Sequence, residues 1–220
     1  MKTDLLKFER EYLEKGYKTI AGCDEAGRGP LAGPVSCAAV IMPLDNIHPD
    51  IDDSKKLSPK KRGVLYDYII KNALAYSVVF IGNEVIDGIN IYQAAKRGME
   101  TALATLKIRP DVALIDAMKG LKADCPTVPI IHGDALSYSI AAASIVAKVE
   151  RDRLMAEYAK QYPQYGFEKH MGYPTPAHYK SLAEFGACPL HRRSFLKNPG
   201  GGESGGEQLR IEKQEFKSEN

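Results

Sequence analysis

Apolar side chains recur along this chain with two periods. Between Asp4 and Lys15, Leu5, Phe8, Tyr12 and Leu13 gather on one side of a helical repeat, which predicts a short helix packed onto the domain after it. Lys18 to Asp24 reads as a strand that ends at two acids, and Gly33 to Met42, rich in Val, Ala and Ile, as its antiparallel hairpin partner. Ser58-Pro59 has the N-cap and first-turn chemistry of a helix running to about Ala73, with Leu65 and Ile69 one turn apart. Tyr76 to Gly82 is a third strand. From Asn90 to Lys107, Ile91, Ala95, Met99, Ala102, Leu103 and Leu106 form an apolar stripe, which Arg109-Pro110 stops. The runs DVALIDA and TVPIIHGD have the length and composition of buried parallel strands, and each leads into an aspartate. Ser137 to about Tyr162 is a long helix whose Ala141, Ala142, Ala143, Ser144 and Ala147 permit close packing. Strands and helices interleave, so the expected fold is one α/β domain.

Composition limits what that domain can be. The 220 residues are 44% hydrophobic and 26% charged, ordinary values for one globular core. The division expected is a helical extension over residues 1–17, a catalytic domain over 18–197 that ends in a helical part, and a tail over 198–220. That tail, rich in Gly and Glu, lacks core-forming side chains and reads as disordered. No apolar run reaches the roughly 18 residues that span a bilayer, so no membrane partner is expected. The four cysteines, Cys23, Cys37, Cys125 and Cys188, have no C-x-x-C spacing and no secretory leader precedes them; reduced thiols in the cytoplasm are the expectation.

Function is suggested by where the acids fall. Asp24 and Glu25 sit at the end of the first strand, Asp116 in LIDA near the end of the fourth, and Asp134 just after the fifth. In an open α/β sheet the carboxyl ends of the strands share one rim. Four carboxylates there repel one another unless cations neutralise them, which points to hard divalent ions and to two-metal phosphodiester chemistry. Taken singly each acid could be a turn former, and Asp134 a cap for the helix after it. The five histidines, His48, His132, His170, His178 and His191, lack zinc-ligand spacing. The GRGPLAG loop after the acids matches no phosphate-loop fingerprint; its glycines would let bare backbone approach a sugar.

The strings GCDEAGRGPLAGPV, DDSKKLSPKKR, LIDA, HGDALSYSIAAASIVAKVERDR and YGFEKHMGYPTPAH, in that order from Ile20 to His178, resemble the signature blocks of bacterial ribonuclease HII. Arg28 between the two glycines separates the chain from the sibling family, ribonuclease HIII. The resemblance implies a ribonuclease H-like fold: a mixed five-stranded sheet with flanking helices and a C-terminal tail. It also implies a monomeric endonuclease that cuts the RNA strand of RNA/DNA hybrids. The same enzyme would cut 5′ to single ribonucleotides in duplex DNA, leaving a 3′-hydroxyl and a 5′-phosphate. Asp24, Glu25, Asp116 and Asp134 would hold two Mg2+ or Mn2+ ions. Asp152, inside a predicted helix between Arg151 and Arg153, competes for the fourth place but is assigned an ion-paired structural role.

By the same resemblance Gly27, Arg28 and Gly29 approach the 2′-hydroxyl, and Tyr173 stacks on the following sugar. Met171 stands where the family usually has Lys, so no phosphate contact is assigned at that position, and His170 in the same block is a further candidate for substrate contact. Lys55 and Lys56, with Lys60, Lys61 and Arg62, form a basic cluster at a helix start, where cations oppose the dipole; together with Ser144 and Lys148 they are candidates for holding phosphates. Two alternatives stay open: a non-catalytic binding domain, against which the complete set of acids argues, and a nuclease for DNA intermediates, against which the GRG loop and Tyr173 argue. In the tail, QLRIEKQEF (Gln208 to Phe216) partly matches a sliding-clamp-binding peptide with its closing aromatic misplaced.

Overall fold

The computed structural model describes residues 4–197, so the expectations for the tail, disorder and a clamp-binding peptide alike, lie outside the described residues. After α1 (Lys7–Glu14), the hairpin β1 (Ile20–Ala26) and β2 (Val35–Ile41) leads through a 3₁₀ turn at Ser54–Lys56 into α2 (Pro59–Asn72). Then come β3 (Ala75–Ile81), α3 (Asn83–Ile89), α4 (Ile91–Ala104), β4 (Val112–Asp116) and β5 (Thr127–Ile130). A 3₁₀ turn at Gly133–Ala135 precedes α5 (Tyr138–Gln161), and α6 (Phe167–His170), α7 (Pro176–Phe185) and α8 (Arg193–Lys197) complete the order. The sheet order is β3-β2-β1-β4-β5. β1 pairs antiparallel with β2 and parallel with β4, so the sheet is mixed as expected.

The first strand differs from expectation in one respect that matters. β1 runs to Ala26, so Asp24 and Glu25 lie within the paired strand, opposite Ala38 and Cys37, and their side chains leave opposite faces of the sheet. The segment between β3 and α4, which the sequence pattern leaves unassigned, holds the short α3; Asn90 takes a left-handed φ of 66° and its side chain accepts from the Gln93 N–H, capping α4.

Two cores cover the two faces. α4 buries Ala95, Met99 and Ala102 against one face, while α5 covers the other with Ala141, Ala142 and Ala143. A side chain at Gly22 would meet the Ser139 carbonyl at 2.0 Å, so that glycine sets how closely α5 lies on β1. Close approach is what carries Ser144 to the acid end of β1. α1 fixes the start of α5: the buried Glu9 accepts from the Ser137 hydroxyl (2.6 Å) and the Ser139 N–H (2.9 Å).

Candidate active site

At the carboxyl ends of β1 and β4 a cleft of about 270 Å3 is lined by Asp24, Glu25, Gly27, Arg28, Gly29, Asp116, Ser54, Lys55, Arg62, Ser144, Lys148 and Tyr173. Asp24 is buried, at 3% exposure. Burial first, then the charges of Glu25 and Asp116, push its carboxyl well above the usual carboxylate range. Glu25 is raised by burial too, although Arg28 opposes the shift from 3.4 Å, and its Oε2 is buried with no hydrogen-bond partner. Burial and then Asp134 raise Asp116, whose Oδ1 accepts from the Gly133 N–H at 2.7 Å.

Asp134 stands at the margin of this cleft. It is not the cap of the following helix: Ser137 caps α5 through the Ile140 N–H, and Asp134 lies in the 3₁₀ turn ahead of it. Its carboxylate meets the Lys55 ammonium at 2.8 Å. Desolvation disfavours the charged form of Lys55, but the hydrogen bond and charge of Asp134 outweigh it and raise the Lys55 pKa. Both peptide turns that aim these acids use strained backbone: Ala117 and His132 have φ of 47° and 56°, the left-handed region that costs a non-glycine residue about 1 kcal/mol. Among the described residues no three His, Cys, Asp or Glu side chains are gathered closely enough to hold one ion.

The other candidates divide. Ser144 Oγ and Ser54 Oγ are 2.8 Å apart, tying α5 to the DSKK turn. Lys148 pairs with Asp152 at 2.7 Å and lies 5.8 Å from the Tyr173 ring centre, so the partner of Asp152 is the lysine one turn back and neither flanking arginine. Within the basic cluster the acids that precede it take part: Lys56 pairs with Asp52 and Lys61 with Asp50, while Arg62 donates to the Ser54 and Leu57 carbonyls. His170 is engaged by its own backbone neighbourhood, with Nε2 at the Tyr165 carbonyl and Nδ1 accepting from Gly172, and it stacks on His178. The glycine requirement in GRG is also placed differently. A side chain on Gly27, whose φ is +95°, would strike Arg151 at 2.0 Å, whereas one on Gly29 would meet only Tyr173 at an ordinary 3.7 Å.

Behind the cleft lies a layer that the sequence pattern concealed. Arg151 and Arg192 are fully buried. Arg151 donates to the carbonyls of Pro34, Met171 and Ala32. Arg192 donates to those of Gly33, Arg28 and Gly27. Burial and the charge of Arg151 bring Arg192 down to about 9, so it stays charged at neutral pH. Beside them a chain of neutral imidazoles has its tautomers fixed by its ends. The Tyr173 carbonyl can only accept, so His178 Nδ1 carries the proton (2.9 Å); His178 Nε2 then accepts from His191 Nε2 (3.0 Å), and His191 Nδ1 accepts from the Cys188 N–H (3.0 Å).

Comparisons with known proteins identify the family and the fold. Residues 21–198 match the family described as Ribonuclease HII. The Ribonuclease HII of Acholeplasma laidlawii is 53% identical over 197 residues, 89% of this chain and 96% of that one. The crystal structure of ribonuclease H2 from Pyrococcus horikoshii superposes with a TM-score of 0.70 at 27% identity, covering 80% of this chain and 93% of that one. The RNase HII of Archaeoglobus fulgidus, solved in complex with PCNA, gives 0.69 at 25% identity over 80% of this chain and 94% of that one. The mixed sheet with its flanking helices is thus a ribonuclease H-like fold. The chain belongs to the ribonuclease HII family and is a ribonuclease H endonuclease, of the class that cleaves RNA in RNA/DNA hybrids.

Proposed function

We propose that this enzyme is a divalent-metal-dependent endoribonuclease that also cuts 5′ to a single ribonucleotide embedded in duplex DNA, leaving a 3′-hydroxyl and a 5′-phosphate. The observation that carries the reading is one cleft in which buried carboxylates, a bare-backbone loop and an exposed tyrosine meet. Asp24, Glu25, Asp116 and Asp134 would hold two Mg2+ or Mn2+ ions. Their donors are all oxygen, as hard cations require, and the unpartnered Glu25 Oε2 together with the raised Asp24, Glu25 and Asp116 marks a site short of positive charge. Lys55 against Asp134 is a cation already standing at that acid. Held there, such ions would supply activation of water and neutralisation of charge on the departing 3′ oxygen.

The chain's own groups do the rest. The Gly27-Arg28-Gly29 backbone approaches the 2′-hydroxyl, the feature that separates RNA from DNA at a given site. Tyr173 presents a flat apolar face to the next sugar, where deoxyribose packs and an added hydroxyl does not. Lys55, Ser144 and Lys148 orient phosphates without reading bases. The catalytic domain of residues 18–197, with α1 anchored to it through Glu9, works as a cytoplasmic monomer. The test is to incubate the purified protein with duplex DNA carrying one ribonucleotide, with and without Mg2+ or Mn2+, and to map the cut. A metal-dependent cut 5′ to the ribonucleotide is expected; cleavage without a divalent ion, or equal cutting of all-DNA duplex, would overturn the reading.

A further inference from the structure

The carbonyls of Gly27 and Arg28 both turn inward onto one buried guanidinium, that of Arg192, at 2.6 and 2.9 Å. No peptide bond among the described residues is cis. In a trans peptide the C=O and N–H point in opposite directions. Drawing those two carbonyls inward therefore turns the N–H groups of Arg28 and Gly29 outward, into the cleft that the same loop lines. Among the described residues neither N–H donates to a protein acceptor. Two successive amides held this way form a small concave donor for an oxygen lone pair.

We propose that Arg192 is a positioning residue for sugar recognition: its three-pronged grip on Gly27, Arg28 and Gly33 presets the Arg28 and Gly29 amides to donate to the ribose 2′-hydroxyl. This rests on the reading of the GRG loop as the ribose reader. Three observations set Arg192 apart from a residue that merely fills space. It has no carboxylate among its hydrogen-bond partners, so its charge is spent on backbone oxygens. Its fork matches several carbonyls at once, which a lysine ammonium cannot do in the same place. Its own N–H donates to the Leu31 carbonyl at 2.8 Å, while Leu31 donates to Gly172 next to Tyr173, so the same segment also spaces the two sugar-reading elements.

Two measurements test this. The first compares affinities, in metal-free buffer, for duplex DNA carrying one ribonucleotide, one 2′-fluoro nucleotide, or neither. The native enzyme is expected to prefer the ribonucleotide by about tenfold or more, the scale of a hydrogen bond whose loss leaves a donor unmet. In Arg192→Lys that preference should shrink below about threefold, while Mn2+ affinity read by calorimetry is retained. A purely structural role would weaken all three duplexes alike and leave the ratio intact. A preserved ratio in Arg192→Lys therefore overturns the proposal alone, and no preference in the native enzyme overturns the ribose reading and the proposal with it. The second measurement needs no variant, and it decides the matter if Arg192→Lys does not fold. Amide hydrogen exchange at Arg28 and Gly29 should be fast in the free native enzyme and slowed by the ribonucleotide duplex but not by the others. Protection in the free enzyme, or equal protection by all-DNA duplex, which would assign the amides to phosphate, overturns it.

Discussion

The acid rim and the layer directly behind it solve the same electrostatic problem in opposite ways. At the rim, like charges crowd, a buried Glu25 oxygen has no partner, and Asp24, Glu25 and Asp116 are all held above their ordinary range. Behind it, two buried guanidiniums and a pair of histidines have their hydrogen bonds filled, largely by backbone carbonyls. The first region is left incomplete for something to bind, and the second is completed so that the first can stay incomplete. Rigid support with satisfied bonds is what lets a binding site keep groups unpaired.

The largest effect should come from filling in the deficit. Replacing Asp24, Glu25, Asp116 or Asp134 singly by its amide should cut the cleavage rate by about a thousandfold or more, while thermal midpoints hold or rise as repulsion is relieved. Single-turnover rates at saturating Mn2+ and melting curves test both halves. If Asp134→Asn stays active while a folded Asp152→Asn is dead, the fourth acid is misassigned. Breaking the completed region has the reverse signature. Arg151→Met strands three carbonyls at about 1–3 kcal/mol each before relaxation, so urea denaturation should show a loss on the order of 3–5 kcal/mol.

Acid sharpens the contrast because the two regions titrate with opposite sign. Burial lowers His178 from 6.5 to about 4 and also lowers His191, so as pH falls through that window the unfolded chain takes up protons that the native imidazoles refuse. Stability lost there should be on the order of 2–3 kcal/mol. The acids, raised in the fold, bind protons first in the native state and so return stability as pH falls toward 3.8. Urea midpoints from pH 8 to 4 should therefore fall more steeply in Asp24→Asn than in the native enzyme; parallel profiles would show that the rim does not titrate as described. The smallest effect concerns Tyr173→Ala, which should lose about tenfold more activity on a single embedded ribonucleotide than on a long hybrid, consistent with one lost sugar contact of ~1.4 kcal/mol. Equal losses would remove Tyr173 from junction reading and leave the acids untouched.

Much of the rim was legible because its signals are local. Apolar runs such as DVALIDA announce strands, and an acid at the end of each places charge on one edge. What resisted was everything set by distant partners. A sequence shows Arg151 and Arg192 as charges and charges read as exposed, yet both are buried because carbonyls as far as 119 and 165 residues away turn inward to meet them. Gly27 similarly reads as room for a ligand, although the nearest constraint on it is Arg151 underneath. The α3 helix, seven residues with a glycine, carries too little periodicity to register.

The grip of Arg192 on Gly27 also orders events in the life of the chain. All four acids are synthesised by residue 134, but the group proposed to shape the GRG loop comes 58 positions later, at a sequence separation of 165 from Gly27. Because chains emerge from the N-terminus and distant contacts close late, a nascent polypeptide carries the four acids before the guanidinium that holds the GRG loop has been made. On the proposed roles, the contact that would shape selectivity is among those the chain closes across its longest sequence separation.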